Sequence, residues 1–316
     1  MYSPSCANAS PRKARRRWKS TSRQSWIPAK YFEAGRYSRR EHMNETSGYD
    51  PEAFREFERS GWNGAAGEYN DLFGVITGQA VPTLLDAVDA RFGTRLLDLA
   101  CGTGVVSAGA LMRGCTVVGA DFAPDMLAEA ERRWPGAEFR LCDAEDMPFE
   151  DARFDAVASN FGFLHFPYPE VALAETARVL KSGGKLAFTA WTHDAGHRSL
   201  MARAIREHGD PDVSLVAGPP EPFLEDDAKC ARVMTAAGFT SPEIAGFTLY
   251  MEAEEPARII EVFEKSTVRT ASRLASQTPE AREKIREALV GMLREYEREG
   301  TIRVPMQARL ISAEKR

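Results

Sequence analysis

The sequence is poor in the features that mark several large classes of protein. Its five cysteines (Cys6, Cys101, Cys115, Cys142 and Cys230) form no C-x-x-C pair and cluster with no histidine. This scattered set argues against a disulfide framework and a structural zinc site, and it favours a reducing, cytoplasmic location. No uncharged stretch approaches the roughly 18 residues that a membrane-spanning helix requires, so we expect no membrane span.

The overall composition departs little from that of a globular protein. The chain has 316 residues, of which 28% are charged, 43% hydrophobic and 9% aromatic, with 24 glycines and 18 prolines. These values argue against a collagen-like, low-complexity or wholly disordered chain. The length suits one large α/β domain with insertions, or two smaller domains.

Charge is distributed unevenly along the chain. Residues 1–43 carry a net charge of +9, whereas the whole chain carries −5, so the remainder is strongly acidic. An acidic body repels a phosphate backbone, and we therefore expect no nucleic-acid partner. Residues 1–48 are predicted to be a basic, disordered extension; a transit peptide for organelle import, or an upstream extension with Met43 as the natural start, are the alternatives. Residues 49–316 are predicted to form the folded domain.

Short apolar runs alternate with helical patterns of 10–15 residues through the middle of the chain. The predicted strands occupy residues 96–100, 116–120, 138–142, 154–159 and 186–191. This alternation indicates βαβ units and a parallel sheet, with right-handed crossovers that place helices on both faces. The predicted fold class is therefore a doubly wound, Rossmann-like α/β fold.

Helical patterns also flank this alternation on both sides. A short helix over 51–59 and a second over 76–88 are predicted to form an N-terminal cap. Long amphipathic helices over 256–275 and 280–298 are predicted to form a helical insertion at about 255–299. We expect this insertion to pack against the sheet and to serve in part as a lid over an apolar ligand.

The chemistry begins at the turn after the first predicted strand. Gly102 and Gly104 permit positive φ and a close backbone approach, and the helix that follows presents free N–H groups to a ligand. Asp121 ends the next strand, where a carboxylate can accept both hydroxyls of a ribose. A nicotinamide-dinucleotide site shares Asp121, but Asp98 before the turn and Ser107 in place of a third glycine count against that reading.

Five ordered motifs then carry a resemblance to a known family. They are Leu97–Gly104, Gly119–Leu127, Cys142–Phe149, Phe154–Phe161 and Arg178–Leu186. Together they resemble the motifs of class I S-adenosylmethionine-dependent methyltransferases, most closely the UbiE-like small-molecule branch. The resemblance implies a seven-stranded, mostly parallel sheet with its last strand antiparallel. It also implies S-adenosyl-L-methionine as cofactor, with S-adenosyl-L-homocysteine as product. Ala100 departs from the pattern, because many members have a glycine there.

The resemblance also implies which residues hold the cofactor. They are Tyr69, Asp98, Ala100, Gly102, Gly104, Asp121, Phe122, Met126, Asp143, Ala144, Asn160 and Phe161. Within this set, Asp98 is expected to face the ammonium group, Asp121 the ribose hydroxyls and Asp143 the adenine amino group. Phe122 and Met126 occur at the spacing of ordinary core residues as well as of adenine-packing ones.

The predicted function is methyl transfer from S-adenosylmethionine to O, N or C of a small, apolar or aromatic metabolite. An acceptor that must lose a proton needs a base, for which His165 and His193 are the candidates; no metal site is predicted. The partner is then a small-molecule acceptor, with the protein a monomer or homodimer. The alternatives are a non-catalytic module that binds S-adenosylmethionine or a protein partner, and an NAD-type oxidoreductase.

Overall fold

The fold is described from a computed structural model of the chain. The structure describes residues 49–192, 196–219, 224 and 226–316. The predicted basic extension, residues 1–48, lies outside the described residues.

All the strands belong to one mixed sheet. They are β1 (Arg95–Leu99), β2 (Thr116–Asp121), β3 (Glu138–Leu141), β4 (Phe154–Ser159), β5 (Leu180–Trp191), β6 (Glu243–Ala253), β7 (Glu297–Arg298) and β8 (Thr301–Glu314). The order across the sheet is β3-β2-β1-β4-β5-β8-β6, and the short β7 pairs with β8. Strands β1 to β5 are parallel, whereas β8 pairs antiparallel with both β5 and β6. Apart from the two-residue β7, this arrangement confirms the predicted seven-stranded sheet with an antiparallel last strand.

Helices precede, connect and follow the strands. They are α1 (Pro51–Tyr69), α2 (Phe73–Gly78), α3 (Val81–Ala87), α4 (Val105–Met112), α5 (Pro124–Arg133), α6 (Pro169–Val179), α7 (Gly196–His208), α8 (Asp227–Ala236), α9 (Pro256–Lys265), α10 (Arg269–Ala275) and α11 (Pro279–Arg294). None of the helices in the described ranges is both long enough and apolar enough to cross a bilayer.

The sheet buries apolar side chains on both of its faces. In β1, Leu96 packs with α3 and α4 on one face, and its neighbour Leu97 packs with Phe154 and Phe188 on the other. This alternation follows from the two-residue repeat of a strand. The chain order places β2 and β3 on one side of β1 and β4 and β5 on the other. A crevice therefore opens at the carboxyl ends of β1 and β4, where doubly wound folds bind their ligands.

The first helix is longer than the sequence predicts. The sequence indicates a helix that stops at residue 59, but α1 continues through Gly61 to Tyr69. A Cβ atom at Gly61 would overlap the side chain of Val268, so glycine here permits close packing against the C-terminal helices. Asp50 caps the N-terminus by accepting from the backbone N–H groups of the first turn. Tertiary packing overrides the low helix propensity of glycine.

Two other predicted helices are each divided in the structure. The helix predicted over 76–88 is interrupted between α2 and α3, just before Pro82, which has no backbone N–H to continue the hydrogen bonding. The helix predicted over 256–275 is interrupted between α9 and α10. The Ser266 hydroxyl there donates to the carbonyl oxygen of Val262, in competition with the helical hydrogen bonds.

The C-terminal helices pack beside the crevice. Ile259 and Phe263 of α9 share one buried cluster with Leu289 of α11 and with Phe161 and Trp191. Phe161 follows β4 and Trp191 ends β5, so this cluster covers the carboxyl ends of those two strands.

Candidate functional site

The turn after β1 consists largely of residues in the left-handed region of φ. Ala100, Gly102 and Gly104 have φ angles of 57°, 53° and 81°. The Gly104 N–H donates to the carbonyl oxygen of Cys101 at 2.8 Å, which closes the turn before α4 begins. A Cβ atom on Gly104 would lie 2.7 Å from Cδ1 of Trp134, so glycine is required there by space as well as by φ. Only Ala100 carries a side chain in this strained conformation.

Asp98 lies fully buried beneath this turn. Its Oδ2 atom accepts from the Ser107 backbone N–H at 2.8 Å and from the Ser107 hydroxyl at 2.6 Å. Its Oδ1 atom has no hydrogen-bond partner among the described residues. Burial raises the pKa of Asp98 to about 7. Ser107 stands where a dinucleotide-binding turn has its third glycine, and it hydrogen-bonds Asp98. These are the two residues that count against a dinucleotide site.

Asp121 joins the ends of β1 and β2. Its Oδ2 atom accepts from the Gly102 backbone N–H at 2.8 Å, and its Oδ1 atom accepts from the Ala123 backbone N–H at 2.9 Å. Burial raises the pKa of this carboxyl group, and these backbone donors oppose that rise. Asp121 therefore fixes the glycine turn relative to β2 while it remains at the wall of the crevice.

A third acid, Asp143, follows β3 and is held by a basic residue of the N-terminal helix. Its Oδ1 atom accepts from the Glu145 backbone N–H at 2.9 Å, and its Oδ2 atom lies 3.3 Å from Nε of Arg55. The same guanidinium donates to Oε2 of Glu145 at 2.5 Å. Burial raises the pKa of Glu145 to about 7, although the charge of Arg55 opposes that rise.

A narrow cleft is lined by two of these acids, Asp121 and Asp143. Its floor consists of residues at or just after the ends of β1, β2 and β3, namely Leu99, Ala100, Ala120, Asp121, Phe122, Cys142, Asp143 and Ala144. Its cover consists of Arg55 from α1 and of His165, Phe166 and Pro167 from the segment after β4. Six of the predicted residues (Ala100, Asp121, Phe122, Asp143, Ala144 and His165) therefore line one cleft.

Other predicted site residues lie outside the cleft lining. Met126 packs in a small buried cluster with Ala65, Ala66 and Ala123, between α1 and α5. The side chain of Asn160 is engaged within the fold: its amide donates to the carbonyl oxygen of Thr77 at 2.9 Å and accepts from the Thr189 hydroxyl at 2.8 Å. Cofactor contact by Met126 and Asn160 stays a prediction.

Aromatic rings close the side of the site next to β4 and β5. Phe161 has a φ of 58°, and its ring stacks on that of Trp191 with centroids 3.9 Å apart. Phe73 packs against the same Trp191 and against Tyr69. The Tyr69 hydroxyl lies 3.2 Å from Oγ1 of Thr77. This end of the site is therefore apolar and closely packed.

The two predicted bases have different outcomes. His165 lines the cleft, and its Nδ1 atom lies 2.9 Å from Oε2 of Glu58 in α1. His193 lies outside the described residues.

Sequence reasoning missed Arg55 and Glu58. Both lie in the run Pro51–Arg59, which reads as an ordinary charged amphipathic helix in which alternating charges predict a solvated face. Nothing in that run signals which charges are buried.

Known proteins resemble the chain in this region. A family described as a methyltransferase domain matches residues 97–188. The demethylmenaquinone methyltransferase of Paenarthrobacter aurescens is 33% identical over 168 residues, which make up 50% of this chain and 66% of that protein. The protein of the same name from Thermus thermophilus is 49% identical over 98 residues, or 29% of this chain and 44% of that protein. The matches thus span between under half and two thirds of these relatives.

Among solved structures, the YcgJ protein of Bacillus subtilis aligns with 75% of this chain and 98% of its own, at a TM-score of 0.50 and 19% identity. Identity at that level shows a shared fold alone. Three findings together decide the family: the 33% identity to the Paenarthrobacter protein, the match over residues 97–188 and the sheet order. The chain belongs to the class I S-adenosylmethionine-dependent methyltransferases. S-adenosylmethionine is accordingly its cofactor.

The structure fits the cofactor of this methyltransferase family. The unpartnered Oδ1 of Asp98 is a buried acceptor that a cationic amino group, directly or through water, would satisfy. Ala100 occupies the position of the first glycine of the family motif in the conformation that glycine adopts most easily. The departure from the motif therefore changes the side chain and leaves the path of the backbone intact.

Proposed function

We propose that this methyltransferase transfers the methyl group of S-adenosylmethionine to O, N or C of a small, apolar or aromatic metabolite. The observation that carries the proposal is the cleft at the ends of β1, β2 and β3, which Asp121 and Asp143 line beside the glycine turn. A turn with free N–H groups and acids at the ends of neighbouring strands suits a ligand with a ribose, an amino-substituted base and an ammonium group.

The acids would divide the cofactor among them. Asp121 would accept from the ribose hydroxyls, Asp143 from the adenine amino group with the Ala144 backbone beside it, and Asp98 would balance the ammonium group. Phe122 lines the cleft, where an aromatic side chain can pack on adenine. Gly102 and Gly104 would let the tail of the cofactor approach the main chain closely.

The cofactor, when bound, supplies a methyl group already activated by a sulfonium. The work left to the chain is to align the acceptor, exclude water and remove a proton where the acceptor has one. The aromatic cluster of Tyr69, Phe73, Phe161 and Trp191 suits an apolar or aromatic acceptor, and the helices α9 to α11 would cover it. His165 and His193 stay the candidate bases.

The relatives carry a narrower suggestion. Two of them are named demethylmenaquinone methyltransferases, which act on a quinone-type ring. The aromatic lining of this chain is compatible with a ring-shaped acceptor. We therefore place aromatic metabolites first among the acceptors to be tried. We also propose that the protein works as a monomer or a homodimer.

The test has two stages on the full chain. Titration calorimetry should show binding of S-adenosylmethionine and S-adenosylhomocysteine, and no binding of NAD. Incubation of metabolite extracts with methyl-labelled cofactor should then give a product heavier by one methylene unit. Absence of cofactor binding would contradict the proposal. Binding with no transfer to any acceptor would favour the non-catalytic module instead.

A further inference from the structure

Glu58 of α1 is a fully buried carboxylate beside the cofactor cleft. Its Oε2 atom accepts from the indole N–H of Trp62 at 3.1 Å and lies 2.9 Å from Nδ1 of His165. Its Oε1 atom has no hydrogen-bond partner among the residues that the structure describes. The carboxylate is thus removed from water with only one of its two oxygens hydrogen-bonded.

Stability does not account for a glutamate in this position. A buried carboxylate with one oxygen that lacks a hydrogen-bond partner is costly, because burial removes that oxygen from water without compensation. Residues that lower stability in this way tend to occur at functional sites. The partner of Glu58, His165, lies at such a site, because it lines the cleft together with Asp121.

The contact with Glu58 determines which nitrogen of His165 carries the proton. A carboxylate oxygen can only accept, so Nδ1 of His165 must be the donor, and in the neutral ring Nε2 is then an unprotonated acceptor. Trp62 packs edge-on against the imidazole, with ring centroids 5.0 Å apart, and limits its rotation. A charge on His165 also lowers the pKa of Asp121 against the effect of burial, which places the two side chains near each other.

We propose that Glu58 is a positioning residue for His165, and that Nε2 of His165 accepts a hydrogen bond from a ribose hydroxyl of the adenosyl ligand beside Asp121. The inference rests on the proposed function, since it assumes an adenosyl ligand in the cleft. A vicinal diol offers two donors, and each oxygen of Asp121 already uses one of its two lone pairs on a backbone N–H group, which leaves it less free to meet both hydroxyls. A second acceptor beside Asp121 would therefore match the second hydroxyl. This role connects α1 to the cofactor through one histidine, and it leaves His193 as the candidate base, because Nε2 of His165 cannot also take a proton from the acceptor.

The first experiment reads the proton position directly. The chain has five histidines, so long-range proton–nitrogen NMR on protein labelled with ¹⁵N-histidine can resolve His165, assigned by its loss in His165→Phe. The unliganded protein at about pH 8 should show Nδ1–H and a bare Nε2. In Glu58→Leu the proton should move to Nε2, whereas in Trp62→Phe it should stay on Nδ1. A wild-type ring with its proton on Nε2, or on both nitrogens, would overturn the inference.

The second experiment measures affinity for S-adenosylhomocysteine by calorimetry, and it needs no acceptor. His165→Phe should weaken binding about five- to tenfold, as for one lost hydrogen bond. Glu58→Leu should cause a similar loss, and the double variant should bind no more weakly than His165→Phe alone. His208→Phe, at an exposed histidine on α7, serves as the control and should leave affinity unchanged.

The outcomes separate this inference from the proposed function. If His165→Phe binds as tightly as the wild type, the ribose contact is wrong, although wild-type binding would still support the methyltransferase. If Glu58→Leu weakens binding equally in the presence and absence of His165, Glu58 supports the helix instead of the histidine. If the wild type binds no S-adenosylhomocysteine, the proposed function itself fails. The NMR result would still report the Glu58–His165 pairing in that case.

Discussion

The adenosyl end and the acceptor end of the candidate site are constructed differently. At the adenosyl end, Asp121, Asp143 and the backbone at the strand ends line a narrow cleft. At the acceptor end, Phe161 and Trp191 stack with centroids 3.9 Å apart. The side chain of Asn160 is hydrogen-bonded to Thr77 and Thr189. The first end presents polar groups to a cleft, whereas the second is filled by the protein's own rings.

This difference shows how one fold can keep its cofactor and vary its acceptor. The adenosyl end depends on backbone and short side chains at the ends of β1, β2 and β3, which the sheet holds rigidly. The acceptor end depends on rings from α1, α2, β5 and the segment after β4, together with the helices α9 to α11. Substitutions there can repack the surface without disturbing the turn. The acceptor must displace or separate these rings when it binds.

The largest expected effect is at the adenosyl end. Asp121→Ala should weaken binding of S-adenosylhomocysteine by about 1–3 kcal/mol, because it leaves polar groups unpaired in a buried site. Calorimetry measures the change, and circular dichroism checks that the fold is kept. Asp125→Ala removes the same charge from the exposed first turn of α5 and should have no effect. Equal affinities for Asp121→Ala and the wild type would remove the ribose assignment.

Ligand affinity at the adenosyl end should also depend on pH. Burial raises the pKa of Asp98 to about 7, so the free protein holds this proton until near neutrality. A ligand ammonium favours the ionised carboxylate, and affinity for S-adenosylhomocysteine should therefore fall by up to about tenfold for each pH unit below 7. Calorimetry between about pH 5.5 and 8.5 measures this slope. The stability of the unliganded protein depends on pH in the opposite direction. Its free energy of unfolding falls as pH rises from the usual carboxyl pKa toward about 7, because the folded state holds the Asp98 proton more tightly than the unfolded state does.

Two variants isolate Asp98 as the origin of the slope. Asp98→Asn should bind weakly and with little dependence on pH. Burial also raises the pKa of Glu145 to about 7, and Glu145→Gln controls for that group. If Glu145→Gln flattens the profile and Asp98→Asn does not, the acid that senses the ligand is Glu145.

At the acceptor end, a substitution should change selectivity and spare the cofactor. Trp191→Leu removes the stacking partner of Phe161 and enlarges the apolar region. We expect a changed set of labelled products from metabolite extracts, with affinity for S-adenosylhomocysteine within about threefold of the wild type. Phe149→Leu disrupts an edge-to-face pair with Phe154 in the main core and should leave the products unchanged. A loss of cofactor affinity in Trp191→Leu would show that the two ends are not separable.

The contrast between the adenosyl end and the acceptor end also explains which features the sequence could predict. The turn residues Gly102 and Gly104 and the acids that follow the first three strands occur at fixed distances along the chain, and the cleft contains Asp121 and Asp143 as expected. The mostly parallel sheet and its antiparallel last strand follow from the family resemblance, and the structure confirms them. These features are local in sequence or repeat with a regular period.

What could not be predicted depends on contacts between distant segments. Arg55 meets Asp143 across 88 positions of sequence, and Glu58 meets His165 across 107. A charged residue on a helix gives no sign of whether it will be buried until its neighbours are known. The continuation of α1 past Gly61 has the same origin, because the space beside Val268 favours glycine more strongly than helix propensity opposes it.

The smallest expected effect concerns Ala100, where the turn carries a side chain in a conformation that suits glycine. Its φ of 57° costs an alanine about 1–2 kcal/mol of backbone strain, which a glycine would relieve. Glycine is also more flexible in the unfolded chain, and this entropy cancels part of the gain in stability. Ala100→Gly should therefore raise the free energy of unfolding by about 0.5–1 kcal/mol and the melting temperature by about 2 °C. Thermal unfolding measures both quantities.

A matched substitution tells whether the conformation is the cause. Ala156 lies fully buried in β4, where φ is extended and an added glycine only loosens the chain, so Ala156→Gly should lower the melting temperature. A Cβ atom at Gly162 would lie 2.7 Å from Cβ of Ala100, which shows that the neighbouring segment already accommodates this side chain. If Ala100→Gly destabilises the protein as Ala156→Gly does, packing against Gly162 outweighs the backbone strain. The alanine would then be a structural part of the turn, and the adenosyl end would depend on side-chain packing as the acceptor end does.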